Sequence, residues 1–126
     1  ILSVRAYSGG PNPMRIKAYR VLRPWKSDEV SWSRATLQTW WATAGCDEPT
    51  KDRARWHGAA TTVSAINTWV DFDITNMVLR WAANPTSNQG VLLVAEPGES
   101  ARYRFYSSES QHTGWRPKLT IRYTMP

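Results

Sequence analysis

Short runs in which apolar and polar residues alternate constrain the fold of this chain more than any other feature. In residues 1–7, Leu2, Val4 and Ala6 alternate with more polar side chains, and residues 14–22, 68–75 and 117–124 repeat the pattern in whole or in part. Successive side chains of a strand point to opposite faces of a sheet, so a period of two predicts half-buried β-strands. The alternation therefore favours an antiparallel, all-β fold.

Turn-forming residues separate these runs. Residues 8–13 (SGGPNP) are predicted to end the first strand, and Pro24 is predicted to end the second. Further strands are predicted over residues 28–33, around Val30 and Trp32, and over residues 90–95 and 103–107.

Two segments depart from the period of two. An apolar face with helical spacing predicts one short helix over about residues 74–82, formed by Ile74, Met77, Val78 and Trp81. Asp73 or Thr75 can cap its start through a side-chain oxygen. Residues 34–65 are polar and irregular, which predicts a long loop with a helical turn or small strand near residues 61–64.

The totals narrow the class of protein. A chain of 126 residues is the size of one domain. Its apolar stretches are too short for a membrane helix. The net charge of +6 favours an anionic partner, although a solvated basic surface fits the same charge. Cys46 has no second cysteine to pair with, so it is either a buried thiol or one half of an intermolecular disulfide.

Several segments together resemble the DNRLRE family, also described as disaggregatase-related repeats. The matching segments are residues 19–25 (YRVLRPW), 30–32 (VSW), 69–75 (WVDFDIT), 88–93 (NQGVLL), 105–109 (FYSSE) and 116–119 (RPKL). The family is similar to a family of carbohydrate-binding modules. The resemblance implies a single jelly-roll-like β-sandwich that is secreted or attached to the cell surface. In some members it implies polysaccharide binding.

The family pattern also includes strands that come before the position of Ile1. A sandwich without those strands leaves an open edge that something must cover. We therefore expect either an absent preceding segment or a strand from another subunit to complete the domain.

The eight tryptophans divide into two groups of four. The resemblance places Trp25, Trp32, Trp69 and Trp81 in the core. The other four lie in polar, loop-like contexts, where they either cap an open end of the sandwich or form flat platforms for sugar rings. With nearby arginines that can bind carboxylates, the carbohydrate-binding candidates are Trp40, Trp41, Trp56, Trp115, Arg53, Arg55 and Arg116.

Other chemistry has weaker support. Asp47, Glu48 and Asp52 are candidate ligands for a structural calcium ion, or a solvated acidic turn, and no cofactor is otherwise expected. His57 and His112 lie in polar surroundings, and no serine has the flanking glycines of a nucleophile elbow, so we expect no enzyme activity. Nucleic acid is an unlikely partner, because strand alternation puts the rings of residues 102–105 opposite their charges.

Two functions follow from these patterns. The first is a non-catalytic extracellular module for adhesion that binds polysaccharide, with an acidic glycan or other anionic surface polymer favoured by the basic charge. The alternative is a structural subunit of an extracellular filament or surface layer, which binds copies of itself by strand complementation.

Overall fold

The chain is built mainly from β-strands. The structure, a computed structural model, describes residues 1–97 and 101–126. Within these residues the strands are β1 (Leu2–Pro11), β2 (Met14–Arg20), β3 (Arg34–Thr36), β4 (Thr39–Trp40), β5 (Ala59–Val63), β6 (Thr68–Phe72), β7 (Val91–Ala95), β8 (Ala101–Phe105) and β9 (Lys118–Leu119). One α-helix, α1, spans Thr75–Ala83, and single 3-10 turns span Pro85–Ser87 and Thr113–Trp115. This is the all-β class with one short helix that the sequence predicts.

Strand β1 organises the largest sheet. Its first half pairs antiparallel with β6, in a register that sets Val4 opposite Val70 and Arg5 opposite Trp69. Its second half pairs antiparallel with β8, and its start pairs with β9. One face of these strands carries the buried side chains of Val4, Ala6, Val70 and Phe72. The opposite face carries Arg5 and Trp69.

Two smaller sheets complete the strand pairing. One has the order β5-β2-β7, and the other is the hairpin of β3 and β4. The hairpin and β5 both lie in residues 34–65, so the predicted long loop contains three short strands. The small strand expected near residues 61–64 is part of β5.

The contacts divide the chain into two units. Unit 1 consists of residues 1–17, 59–75 and 95–126, and unit 2 consists of residues 18–58 and 76–94. The core of unit 1 contains Phe72, Val63 and Ile74, which are at most 2% exposed. In unit 2, one buried cluster contains Val21, Ala35, Trp41 and Cys46, with Leu92 packed against it. Cys46 is therefore a buried thiol, and burial raises its pKa from 9.0 to about 11.

The predicted helix is confirmed within one residue at each end. Met77 and Trp81, one turn apart, are its buried residues. Asp73 accepts hydrogen bonds through Oδ1 from the backbone N–H of Thr75 (3.1 Å) and from the Thr75 hydroxyl (2.5 Å). These bonds lower the pKa of Asp73 and stabilise the start of the helix. No helix in the described part of the chain is long and apolar enough to cross a bilayer.

One predicted strand is absent, and two others have different lengths from those predicted. β1 continues through residues 8–11, because β8 pairs with this part of the strand up to Pro11. Residues 28–33 form no strand. The backbone turns here, and the N–H groups of Glu29 and Val30 donate to the Lys26 carbonyl at 3.1 and 2.8 Å. The final run forms a strand only at Lys118–Leu119; Thr120 still exchanges backbone hydrogen bonds with Ile1 at 2.8 and 2.9 Å, and residues 120–126 are exposed.

The core assignment of the tryptophans holds only in part. Trp81 is 9% exposed, whereas Trp32 is 76% exposed and Trp25 is 38% exposed. Trp32 lies across Gly45, where a Cβ would come within 2.5 Å of the indole ring, so only glycine fits there. Trp25 lies beside Gly90, and its Nε1 donates to the Gln89 carbonyl at 2.5 Å. Trp69 is half-buried on the outer face of the β1 sheet.

Candidate functional site

A cleft in unit 2 is built from three separate segments. Two of them, residues 18–22 and 52–58, run side by side: Leu22 N donates to the Asp52 carbonyl at 2.9 Å, and Ala54 N donates to the Arg20 carbonyl at 2.9 Å. The third segment is the part of α1 from Asn76 to Arg80. The cleft has a volume of about 440 Å³, within the range of small-ligand pockets.

Positive charge dominates the walls of the cleft. Arg20, Arg55 and Arg80 line it together with His57, and none of the described residues in its lining is acidic. Within residues 1–97 and 101–126, none of these three arginines forms an ion pair. Burial, and then the charge of Arg80, lowers the pKa of the Arg20 guanidinium. The cleft therefore holds arginine charges that no carboxylate of its lining neutralises.

The exposed indole ring of Trp56 lines the same cleft. Trp56 is 77% exposed, and the guanidinium carbon of Arg55 lies 5.8 Å from the centre of its ring. The buried residues Met77 and Ala54 are also part of the lining. The His57 ring meets the Tyr19 ring edge-on, with 6.1 Å between the ring centres. The arrangement combines an accessible aromatic face, an apolar patch and hydrogen-bond donors.

Comparison with known protein families identifies the chain. The family described as disaggregatase related repeat domain matches residues 10–121. The chain belongs to the disaggregatase related repeat family. The resemblance drawn from the segments above is thus confirmed. No curated protein and no solved structure matches the chain.

The carbohydrate-binding candidates of this disaggregatase related repeat lie in different environments. Trp56 and Arg55 line the cleft. Trp40 is 59% exposed and stacks on Arg34, with 4.1 Å between the guanidinium carbon and the ring centre. Trp41 is only 8% exposed, and its Nε1 donates to the Ser31 carbonyl at 3.1 Å. Trp41 is therefore a core residue and cannot present its ring to a sugar.

The remaining candidate arginines already have partners. Arg53 donates to Asp47 Oδ1 through Nη2 at 3.1 Å and lies over the Tyr19 ring. Arg116, in unit 1, donates from Nε to the Ser110 carbonyl at 2.9 Å. The Trp115 ring, also in unit 1, lies tilted against the rings of Tyr106 and His112, with ring centres 5.1 and 4.4 Å apart. Arg53 and Arg116 therefore each stabilise a loop through these hydrogen bonds.

Sequence reasoning missed two of the arginines in the cleft. Arg20 belongs to a strand and Arg80 to the exposed side of the helix, and neither lies beside a loop tryptophan in the sequence. One signal was available for Arg80. It follows the buried Met77 by three residues, so a pocket beside Met77 would have Arg80 at its edge.

The three calcium candidates organise a loop of this disaggregatase related repeat. Asp52 is fully buried, and its carboxylate accepts hydrogen bonds from the backbone N–H groups of Ala42 (2.9 Å), Thr43 (2.9 Å) and Glu48 (3.1 Å). It also pairs with Arg23 at 3.2 Å. Asp47 pairs with Arg53 at 3.1 Å, and the Glu48 carboxylate accepts the Thr43 hydroxyl at 3.2 Å. Among the described residues, no group of three or more potential metal ligands is found.

Proposed function

We infer that this disaggregatase related repeat is a non-catalytic, extracellular module that binds acidic polysaccharide in the arginine cleft. One observation carries the proposal: Arg20, Arg55 and Arg80 line one cleft with the exposed ring of Trp56, and no acidic residue among those that the structure describes lines it. A guanidinium group binds a carboxylate or sulfate through paired hydrogen bonds. An indole face packs against the apolar side of a sugar ring. Together these groups suit a sugar that carries negative charge.

The proposed activity is equilibrium binding without turnover. In this scheme the arginines bind the acidic groups, Trp56 supports one sugar ring, and His57 and Asn76 supply hydrogen bonds to hydroxyl groups. The extracellular location goes with the ligand, because acidic polysaccharides are polymers of cell walls, capsules and matrices.

Affinity electrophoresis tests the proposal. The purified chain is run in gels that contain alginate or pectate, and in gels that contain neutral xylan or β-glucan, over a series of salt concentrations. We expect retardation in the acidic gels to persist above about 0.5 M salt, where exposed charges are strongly screened. Binding that vanishes with salt would reduce the cleft to part of a nonspecific basic surface.

Substitutions separate the cleft from the overall charge. We expect Arg20→Gln and Arg80→Gln each to weaken binding about tenfold or more, since a hydrogen bond to a charged group contributes roughly 1.5–3 kcal/mol. Arg122→Gln is the matched control, because it removes the same charge from an exposed site outside the cleft lining. Trp56→Ala is compared in the same way with Trp40→Ala. Equal losses in the variants and their controls would contradict a shaped site.

One observation favours the alternative, a structural subunit of a fibre or surface layer. Ile121, Tyr123 and Met125 alternate along the chain and are 51%, 78% and 79% exposed, and residues 120–126 form no strand. An exposed segment of this kind is suited to pair with a sheet of another copy. Negative-stain microscopy of native material distinguishes the two functions: ordered polymers support the subunit, and dispersed particles support the binding module.

A further inference from the structure

A second surface of aromatic and basic side chains lies on the outer face of the β1 sheet in unit 1. We call it the aromatic ladder and define it by five rings, Tyr7, Trp69, Tyr106, His112 and Trp115. Two cations lie among these rings, Arg5 and Lys118. None of these residues lines the arginine cleft.

The contacts of the ladder form a continuous series. Lys118 Nζ lies 4.2 Å from the centre of the Trp69 ring. The guanidinium carbon of Arg5 lies 5.7 Å from the Trp69 ring and 5.1 Å from the Trp115 ring. The Trp115 and Tyr106 ring centres are 5.1 Å apart, and those of Tyr106 and Tyr7 are 4.6 Å apart. Cation–π and ring–ring contacts at these distances are attractive, so the series is held in place before any ligand arrives.

The backbone also fixes the rings in advance. The β1–β6 register sets Arg5 directly opposite Trp69, and Tyr106 N donates to the Arg5 carbonyl at 3.0 Å. The loop that carries Trp115 is closed by its own bonds, including Arg116 Nε to the Ser110 carbonyl at 2.9 Å. A surface with few groups left to order binds with a smaller entropic penalty.

The face of the ladder is basic. Arg5 and Lys118 form no ion pair with any described residue. Arg102 and Arg104 are exposed on β8, and strand alternation places them on the same side of the sheet as Tyr106. Alternation along β6 places one carboxylate there, that of Asp71, two residues after Trp69. Among the described strand residues of this face, positive charge therefore exceeds negative charge, which is complementary to an anionic polymer.

We propose that the aromatic ladder is a second binding surface for acidic polysaccharide, which lies across the sheet instead of entering a cleft. The accessible parts are the outer portions of the rings, since Tyr7 is 38% exposed and Trp115 is 36% exposed. A flexible chain of sugars can contact such rims while its acidic groups meet Arg5, Arg104 and Lys118. Single-stranded nucleic acid instead needs open ring faces for its bases. Here, neighbouring rings of the ladder tilt against one another at 31–69°, so they do not offer a row of parallel, open faces.

Titration calorimetry with a short oligouronate measures the number of sites and tests the proposal. We expect two sites in the unaltered chain and one in the cleft variant, Arg20→Gln with Arg80→Gln. The ladder variants, Trp115→Ala and Arg104→Gln, should also weaken binding at one site at least tenfold. Arg104→Gln keeps every ring contact, so it tests the surface even if Trp115→Ala disturbs the loop. Asp71→Asn should strengthen binding, because it removes a carboxylate from the face.

The controls and the contrary results distinguish a failure of the ladder proposal from a failure of the cleft proposal. Arg122→Gln and Trp40→Ala should leave both sites unchanged. A single site that is lost in the cleft variant and unaffected by the ladder variants would overturn the ladder. A single site that is lost only in the ladder variants would support the ladder and overturn the cleft. Tighter binding of oligothymidylate than of oligouronate to the cleft variant would also overturn the proposal, since the surface would then serve nucleic acid.

Discussion

At the scale of single residues, Asp52 has a role that is unusual for an acidic side chain, because it is fully buried. Burial alone would raise the pKa of its carboxyl, but the backbone N–H groups of Thr43, Ala42 and Glu48, together with Arg23, outweigh burial and lower the pKa. The buried negative charge is therefore satisfied by three backbone N–H groups and one guanidinium group. A single side chain stabilises residues 42–52 in this way.

We expect Asp52→Asn to lower the free energy of unfolding by about 2–4 kcal/mol, because the amide replaces one acceptor oxygen with an NH2 group and removes the charge that pairs with Arg23. Asp47→Asn is the control: its side chain is 55% exposed, and its ion pair should contribute less than about 1 kcal/mol. Urea titration of both variants measures the difference. Equal losses would mean that the Asp52 hydrogen bonds contribute no more than a surface pair.

The same carboxylate predicts a dependence of stability on pH. Since the folded-state pKa of Asp52 lies below the unfolded value of about 3.9, its contribution is fully present above that value. It is lost as the pH falls through the folded-state pKa, because the unfolded state then binds the proton more readily. Urea midpoints measured from pH 6 to pH 2 should fall less steeply in Asp52→Asn than in the unaltered chain.

At the scale of elements, β1 continues where its sequence indicates an ending. Gly9 makes this possible, because a Cβ there would overlap the Tyr103 ring and lie 2.7 Å from the Arg102 carbonyl. The ring of Tyr103 thus packs on bare backbone, and its hydroxyl donates to the Asn12 carbonyl at 2.9 Å. The glycine permits pairing with β8 and does not end the strand.

We expect Gly9→Ala to destabilise the protein by about 1–3 kcal/mol, the usual range for forcing an extra carbon into a packed site. Gly114→Ala provides the comparison, since a Cβ at Gly114 would meet nothing within 4 Å. Thermal unfolding of the two variants decides the point. An unchanged melting temperature in Gly9→Ala would show that Tyr103 can move aside without loss.

At the scale of the whole molecule, the sequence predicts classes of structure better than it predicts partners. The alternation of apolar residues predicts most strands, and the spacing of Ile74, Met77 and Trp81 predicts the helix, because both depend on neighbours in the chain. The pairing of β1 with β6, β8 and β9 depends on residues far apart in sequence. No local pattern encodes it.

In the candidate site, too, the sequence predicts the residues that are neighbours in the chain and misses those that come together only in the fold. Trp56 and Arg55 were predicted because an aromatic and a basic residue stand together in one loop. Arg20 and Arg80 were not, since they reach the cleft from a strand and a helix. Trp32 was assigned to the core from its motif, but it is 76% exposed and its ring packs against Gly45, a contact that the motif does not indicate.

The arginine cleft also makes a prediction about salt. Arg20 and Arg80 repel each other, and the chain carries a net charge of +6. Screening shortens the range of this repulsion from about 10 Å at 0.1 M salt to about 3 Å at 1 M. We expect sodium chloride to raise the urea midpoint of the unaltered chain, and to raise that of Arg80→Gln by less. A larger rise in the variant would place the repulsion elsewhere.

Because of this repulsion, the lifetime of the folded chain depends on whether a polyanion is bound in the arginine cleft. A polyanion that binds the folded chain and neutralises the arginines shifts the folding equilibrium toward the native state. Proteases that cleave transiently opened chains act on the small open fraction, which is larger when the cleft is empty. Modules attached to polymer would therefore outlast unattached ones in a protease-rich environment, and degradation itself would select the copies that are bound.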